Sequence, residues 1–439
     1  MATHKIVSKE NLLPFVLVTA LFYLWAVPNN LNDILIPQFM KSFQLNRLEA
    51  GLVQSAFYMG YFLLALPAAY IMDRFNYKTG IIIGLLLFAA GSFMFYPAAM
   101  NTSYMFFLMA LFIIASGLAF LETGANSFIA VLGDPATSAQ RLNFSQAFNP
   151  LGAMSGVLIG NIFIFSGVEH TDAQVEALKA SGQYQQYLNE EIMRVIPPYM
   201  VIGLVILVWA VLIWKIKFPA ETETGTHDKM DPNKKSSHGH FSKLFQYPHF
   251  VKGVVAQFFY VGAQVGTWSY LIPYVMDFLH KPEKEAGYYL FVSLLAFGVG
   301  RFISTALMRK TDPNRLMGVY SIINILLVVV SITLPDTLGS YALVVSSFFM
   351  SLMFPTIFAS GVKGLGPNTK IGGSMIIMAI IGGAIWTPIM GLISDYTGSL
   401  AWAMIVPLIA YIYVLYYAFK GSKPSGPLFD QEENIIISH

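Results

Sequence analysis

The stretch of sequence that decides the fold is residues 12–39, LLPFVLVTALFYLWAVPNNLNDILIPQF, an apolar run that contains one carboxylate, Asp33. A run of about 20 predominantly apolar residues is long enough to cross a lipid bilayer as a helix. Residues 103–132 form a second such run, and it contains Glu122. A charged side chain at the bilayer centre costs about 2.5–3.5 kcal/mol even on the mildest insertion scale. The two carboxylates therefore indicate a functional site, and they favour a proton-coupled translocation path.

The composition of the whole chain is that of a membrane protein. Hydrophobic residues make up 56% of the 439 residues and charged residues 11%, whereas soluble domains carry about 25% charged residues. The ten-residue alternation of a membrane β-barrel is absent from the sequence, so we predict an all-α membrane protein. The chain contains no cysteine, which excludes disulfides and thiolate metal sites. We expect no cleavable signal peptide, because residues 1–10 (MATHKIVSKE) lack the pattern of one. We also expect no nucleic-acid partner, because the charges are few and nearly all lie in loops.

We predict twelve transmembrane helices in two groups of six. The N-terminal half is residues 1–217, the polar linker is residues 218–248, and the C-terminal half is residues 249–439. With both termini in the cytoplasm, 19 of the 26 lysines and arginines fall in cytoplasmic segments, 6 fall in outer loops and one, Arg301, lies inside a span. Such an excess of positive charge marks the inner side of a membrane protein.

The two halves repeat each other at an offset of 236 residues. Leu35-Ile36-Pro37 falls on Leu271-Ile272-Pro273, and further identities follow at the same offset in the next span. Two six-helix halves joined by a cytoplasmic linker predict the major facilitator fold, with a substrate site at the midplane between the halves. Asp33 falls on Ser269, so we expect the ionisable chemistry to belong to the N-terminal half alone.

Polar side chains accompany both carboxylates at helical spacing. Asn29, Asn30 and Asp33 share one face of the first span; the alternative is a capping cluster at a frayed helix end near the outer surface. Glu122 and Asn126 are one turn apart in the fourth span, where the alternative is a structural carboxyl that is hydrogen-bonded to a neighbouring helix. We expect proton coupling at both carboxylates, with Asp33 nearer the outer side and Glu122 also contacting the substrate.

Further candidate substrate ligands lie in the fifth and seventh spans. They are Asn143, Gln146 and Asn149 in the fifth span and Gln257, Tyr260, Gln264, Thr267 and Trp268 in the seventh. Amides hydrogen-bond the hydroxyls of a sugar, and flat rings pack on the apolar face of a pyranose. The alternatives are interhelical hydrogen bonding in the fifth span and an aromatic packing seam in the seventh. Arg301 either pairs with a carboxylate or extends toward the cytoplasm.

The residues and motifs that the sequence lacks limit the possible energy sources for transport. All eight histidines lie outside the predicted spans, which argues against an imidazole proton relay. We find no nucleotide-binding loop and no nucleophile–base pair, which argues against an ATP-driven pump and against an enzyme. We therefore expect no cofactor and no metal, with the proton as the coupling ion.

Several strings resemble the signatures of the fucose:proton symporter family. In the first half they are residues 29–39 (NNLNDILIPQF), 50–58 (AGLVQSAFY), 121–126 (LETGAN) and 141–143 (RLN); in the second half they are residues 256–264 (AQFFYVGAQ), 268–272 (WSYLI), 355–358 (PTIF) and 380–383 (IIGG). The resemblance implies proton-driven uptake of a monosaccharide across a bacterial inner membrane. It also implies that Asp33 and Glu122 carry the proton cycle, while Asn30, Gln146 and Asn149 face the substrate cavity.

One pair of residues departs from the pattern of that family. Met353-Phe354 stands where fucose-type members tend to have a Gln-Tyr pair before the tenth-helix proline. Loss of hydrogen-bonding groups that face a sugar changes selectivity by orders of magnitude. The expected substrate is therefore fucose or a related hexose, since the family also includes transporters of glucose, galactose and N-acetylhexosamine.

The prediction is a monomeric sugar/proton symporter whose partners are a sugar, a proton and the lipid bilayer. Three alternatives remain open at this point, and one is an exporter, since the sequence does not fix the direction of transport. An uncoupled facilitator would move sugar only down its gradient, and a membrane sensor would bind sugar without moving it.

Overall fold

The computed structural model describes residues 7–8, 10–133, 141, 144–168, 172–219, 241–308, 310–365 and 368–425. Residues 220–240, which are most of the predicted linker, and Asn143 lie outside the described residues. Every secondary-structure element among the described residues is helical, which confirms the all-α prediction.

The helices before the linker are α1 (Leu12–Phe43), α2 (Arg47–Arg74), α3 (Tyr77–Phe93), α4 (Phe95–Met100), α5 (Tyr104–Val131), α6 (Asn149–Ile159), α7 (Asp172–Ala180), α8 (Tyr184–Met193) and α9 (Ile196–Lys215). Those after the linker are α10 (Pro248–Leu279), α11 (Glu283–Leu307), α12 (Pro313–Thr333), α13 (Thr337–Met350), α14 (Met353–Val362), α15 (Thr369–Met378), α16 (Gly382–Thr397), α17 (Leu400–Ala403) and α18 (Ile405–Tyr416).

Eleven helical stretches among the described residues are long and apolar enough to cross a membrane. The twelfth span that the sequence predicts is α10, which is not among these eleven. With 32 residues it is as long as α1. Glutamines, tyrosines and other polar side chains occupy several positions of α10 and lower its mean hydropathy. A helix that is buried among other helices tolerates such residues, which is why α10 spans without being uniformly apolar.

Helix α1 determines where the first carboxylate lies. It runs without interruption through Pro28 and Pro37 and ends ten residues beyond Asp33, where Gln44 takes a left-handed conformation with φ 55°. A capping cluster at a frayed helix end is therefore excluded for the Asn29–Asp33 group. The next helix begins at once, because the Asn46 side chain accepts the Glu49 amide at 2.7 Å and closes a capping box.

Two of the later spans are discontinuous. The tenth is broken at residues 351–352, between α13 and α14, and the eleventh contains a 3₁₀ turn, Ala379–Ile381, between α15 and α16. Discontinuous spanning helices in secondary transporters lie next to their substrate sites. Met353-Phe354, the pair that departs from the family pattern, begins α14 directly after the first break.

By its contacts the chain divides into two compact units. Unit 1 consists of residues 1–228 and 268–295, and unit 2 consists of residues 229–267 and 296–439. The outer part of α10 and the first part of α11 thus belong with the N-terminal helices. The division into halves at the linker, which follows from the sequence repeat, stays a prediction.

In unit 1, α6 packs closely along α1. A Cβ atom at Gly152 would lie 2.2 Å from the Tyr23 carbonyl oxygen, and one at Gly156 would lie 2.4 Å from the Val27 carbonyl oxygen. Small residues let membrane helices approach at backbone distance. This contact fixes the rotation of α1 and hence the direction in which its polar face points.

The predicted outer end of unit 1 holds a buried cluster of charges. The Lys41 ammonium lies 2.6 Å from Glu283 and 3.0 Å from Glu191, and the two carboxylates are 1% and 3% exposed. Gln38 donates to the Glu191 side chain at 3.0 Å. Breaking a buried pair by removal of one partner costs about 3–5 kcal/mol, so this cluster ties α1, α8 and α11 together.

In unit 2, aromatic rings hold α10 against later helices. The Phe259 ring stacks between Trp386 and Tyr413, with centroid distances of 5.2 and 5.3 Å. The Tyr260 hydroxyl donates to the Met350 carbonyl oxygen at 2.9 Å. These contacts cover the parts of α10 that face α13, α16 and α18. Only polar residues elsewhere on α10 remain available to a ligand.

Candidate functional site

Asp33 lies in a small hydrogen-bonded cluster inside unit 1. Its side chain is 4% exposed, and Oδ1 accepts hydrogen bonds from Gln54 Nε2 and from Ser269 Oγ, each at 2.9 Å. The same Gln54 Nε2 also lies 2.9 Å from Ser269 Oγ. Neither Asp33 nor Glu122 forms an ion pair within the described residues. The carboxyl of Asp33 is therefore held by neutral donors alone.

The serine in this cluster has a particular relation to Asp33. Ser269 is the residue onto which Asp33 falls at the repeat offset of 236, and the two side chains are hydrogen-bonded. The sequence comparison indicates only that the second half lacks an equivalent acid. The structure adds that the neutral counterpart is itself a hydrogen-bond donor to Asp33.

Glu122 lies in more open surroundings on α5. Its side chain is partly exposed and lies within hydrogen-bonding reach of the Tyr61 hydroxyl of α2. One turn further along α5, Asn126 donates to the Glu122 carbonyl oxygen at 2.8 Å and accepts from Gln146 Nε2 at 3.2 Å. Gln146 is exposed. These three predicted residues thus form one continuous polar strip that reaches the surface of unit 1.

The two carboxylates lie at different depths. The rings of Phe43, at the end of α1, and Tyr104, at the start of α5, lie 5.7 Å apart and mark a common level. At a rise of 1.5 Å per residue, Asp33 lies about 15 Å from that level along α1, and Glu122 lies about 27 Å from it along α5. The carboxylates are thus separated by about 12 Å of depth, with Asp33 on the predicted outer side.

The other predicted polar residues of the first half differ in their burial and in their hydrogen-bond partners. Asn30 is 7% exposed and donates to the Ala26 carbonyl oxygen of its own helix at 2.9 Å. Asn149 Nδ2 lies 3.4 Å from the Phe22 carbonyl oxygen on α1, while Asn29 is partly exposed. Asn149 thus links α6 to α1, in agreement with the interhelical alternative for its donor group.

The polar residues of α10 separate into buried and accessible ones. Tyr260 is fully buried and its hydroxyl is occupied by Met350, which favours the packing alternative for this residue. Gln257 is also fully buried, and both polar atoms of its amide lack a hydrogen-bond partner among the described residues. Gln264, in unit 2, and Trp268, in unit 1, are each partly exposed.

Arg301 is exposed on α11, and its guanidinium lies 5.0 Å from the centre of the Phe297 ring. Within the described residues it forms no ion pair with a carboxylate, so the pairing alternative is not observed.

The described residues also contain no group of three or more histidine, aspartate or glutamate side chains that could hold a metal ion.

Three residues of the site were not among those predicted. Gln54, Ser269 and Tyr61 lie next to the two carboxylates in the structure, yet in the sequence each lies at least 21 residues from the acid that it contacts. Gln54 and Ser269 carried a signal, since they belong to the strings 50–58 and 268–272 that resemble the symporter family, whereas Tyr61 carried none.

Comparisons with known proteins agree with this architecture. The model of the Major Facilitator Superfamily matches residues 16–370. The L-fucose-proton symporter of Escherichia coli (strain K12) is 42% identical over 414 residues, 94% of this chain and 93% of that protein. A glucose/galactose transporter of Brucella abortus is 34% identical over 92% of this chain and 93% of that protein.

A solved structure also matches over nearly the whole length. The crystal structure of a variant of the E. coli fucose:proton symporter has 40% sequence identity, covers 93% of this chain and 98% of its own, and gives a TM-score of 0.67. The prediction of the major facilitator fold is thereby confirmed. The chain belongs to the major facilitator superfamily and, within it, to the fucose:proton symporter family.

Proposed function

We propose that this protein imports a monosaccharide together with a proton across a bacterial inner membrane, by alternating access and with both termini in the cytoplasm. The observation that carries the proposal is the Asp33 cluster, in which a membrane-spanning helix holds a buried carboxyl that no cation among the described residues pairs with. The bacterial relatives support it, since one is an L-fucose-proton symporter and another a glucose/galactose transporter.

Gln54 is suited to both protonation states of Asp33. Its Nε2 donates to the carboxyl oxygen, while its buried Oε1 has no hydrogen-bond partner in the part of the chain that the structure describes. A carboxylate accepts hydrogen bonds, whereas a carboxylic acid also donates one. A rotation of the Gln54 amide by half a turn exchanges its donor for its acceptor. Gln54 can therefore hydrogen-bond the Asp33 carboxyl both when it is ionised and when it is protonated.

Glu122 is the proposed point where proton and sugar meet. It is partly exposed, and the amides of Asn126 and Gln146 continue from it to the surface of unit 1. Carboxylate and amide groups hydrogen-bond sugar hydroxyls. We assign the remaining ligand positions to Asn29, Asn30, Asn149, Gln257, Gln264 and Trp268, with Tyr260 as their packed support.

The proposed substrate class is a hexose of the kind that the relatives carry. Met353 is fully buried and Phe354 partly buried at the start of α14, so Phe354 presents an apolar ring, and neither residue presents the hydrogen-bonding groups that are expected for fucose. A thermal-shift screen of the purified protein with fucose, glucose, galactose, mannose and N-acetylglucosamine identifies the sugar.

The direct test is sugar-induced alkalinisation of the medium around de-energised cells that express the protein. Symport predicts that addition of the sugar from the screen raises the external pH, and that Asp33→Asn and Glu122→Gln abolish the rise. Sugar entry without any pH change would establish a facilitator instead. Sugar binding in detergent without flux in liposomes would establish a sensor.

A further inference from the structure

Unit 2 contains a cavity that the sugar pathway does not use. It has a volume of about 420 Å³ and lies at the predicted cytoplasmic ends of α12 and of the segment after α18. Its lining includes Asp312, which caps α12, Asn314 and Arg315 from the first turn of α12, and Phe419, Ser422 and Lys423 from the other segment. The cavity therefore lies at the level where lipid headgroups meet the protein.

The free groups of this cavity are cationic. Arg315 and Lys423 are exposed, and within the described residues neither forms an ion pair with a carboxylate. Asp312 Oδ1 is already used, since it accepts the Arg315 amide at 2.9 Å, and Asn314 Oδ1 accepts the Ser360 hydroxyl at 2.7 Å. With two cations against one carboxylate, the lining carries one net positive charge and favours an anion.

The wall below the cations is apolar. The Phe419 ring is 43% exposed and lies over Gly318, where a Cβ atom would be 2.5 Å from the ring. From there, exposed apolar side chains continue toward the membrane centre on both helices. They are Val319, Ile322 and Leu326 on α12 and Ile412 and Tyr416 on α18.

We propose that this cavity binds the headgroup of an anionic phospholipid, whose acyl chains lie along the two apolar rows. Basic pockets between membrane helices on the cytoplasmic side bind anionic headgroups, and the guanidinium of Arg315 bonds a phosphate through two parallel donors. A soluble phosphate would use the cations alone, whereas a phospholipid also covers the apolar side chains that lead away from them.

The test is lipid binding to the purified full-length protein in a neutral detergent, measured by native mass spectrometry. The probes are dioleoylphosphatidylglycerol, dioleoylphosphatidylcholine and inorganic phosphate. We expect phosphatidylglycerol to bind and the other two not to compete with it. The double variant Arg315→Gln/Lys423→Gln should bind it about 25-fold more weakly, because a cation near an anionic lipid contributes about five-fold in affinity.

The matched control is Lys215→Gln/Lys217→Gln, which removes two exposed charges from the predicted cytoplasmic side of unit 1 and should leave the binding unchanged. A thermal unfolding curve in detergent checks that both double variants fold. Equal binding of phosphatidylcholine, competition by inorganic phosphate, or equal losses in the two double variants would overturn the proposal.

Discussion

Asp33 is 4% exposed and accepts two hydrogen bonds from Gln54 and Ser269, whereas Glu122 is partly exposed and is followed by a strip of amides that reaches the surface. In the sequence the two look alike, since each is an acid near an asparagine in an apolar run. The difference arises from the neighbouring helices. A sealed carboxyl has room for a proton but not for a sugar, while an accessible carboxyl among amides can contact both.

The largest expected effect comes from neutralising either carboxyl. One proton moving across 100 mV supplies about 2.3 kcal/mol, which corresponds to an accumulation ratio of about 50-fold. Asp33→Asn and Glu122→Gln should each reduce this ratio to one in energised proteoliposomes, measured with labelled sugar. Sugar-for-sugar exchange should persist in Asp33→Asn and fall in Glu122→Gln. Concentrative uptake by either variant would contradict the assignment of that carboxyl to the proton cycle.

Each carboxyl cluster contains a glutamine, and replacing the glutamines separates the two sites. Gln54→Leu leaves the buried Asp33 carboxyl without its amide, and an unsatisfied buried polar group costs about 1–3 kcal/mol. We expect proton-driven uptake to fall by about tenfold, with the sugar affinity unchanged. The readouts are the initial rate of uptake and the Kd of the sugar.

Gln146→Leu is the matched variant for the exposed strip. It should weaken sugar binding by about tenfold, because a site that is built to hydrogen-bond a hydroxyl loses a partner. The number of protons moved per sugar should stay the same, as measured by parallel pH and label traces. If Gln54→Leu changed affinity and Gln146→Leu changed coupling, the roles of the two sites would be reversed.

The smallest expected effects come from the hydroxyl groups. Tyr61→Phe removes the hydroxyl that lies within hydrogen-bonding reach of Glu122 and should raise the KM for sugar about five-fold, as a single hydrogen bond contributes about 1 kcal/mol. Ser269→Ala should change uptake about twofold, because Gln54 still donates to Asp33. Uptake kinetics over a range of sugar concentrations distinguish the two; a larger effect of Ser269→Ala would mean that Ser269, and not Gln54, governs Asp33.

The fold and the position of two acids inside membrane spans could be predicted from the sequence. The residues that surround each acid could not. Long apolar runs, the charge asymmetry and the repeat carry the information about spans, and a charge in such a run is visible by itself. The donors to Asp33 come from α2 and α10, 21 and 236 residues away, and no local pattern records such contacts. The same holds for Tyr260, whose spacing matches a ligand face although its hydroxyl bonds the backbone of α13.

The most direct test of the division of labour is the sugar affinity of the two carboxyl variants, measured by isothermal titration calorimetry with the purified proteins. Asp33→Asn should bind sugar within about threefold of the wild type, because the sealed cluster makes no sugar contact. Glu122→Gln should bind at least about tenfold more weakly, since one polar contact to the sugar is altered. Equal losses in both variants, or a larger loss in Asp33→Asn, would contradict the account.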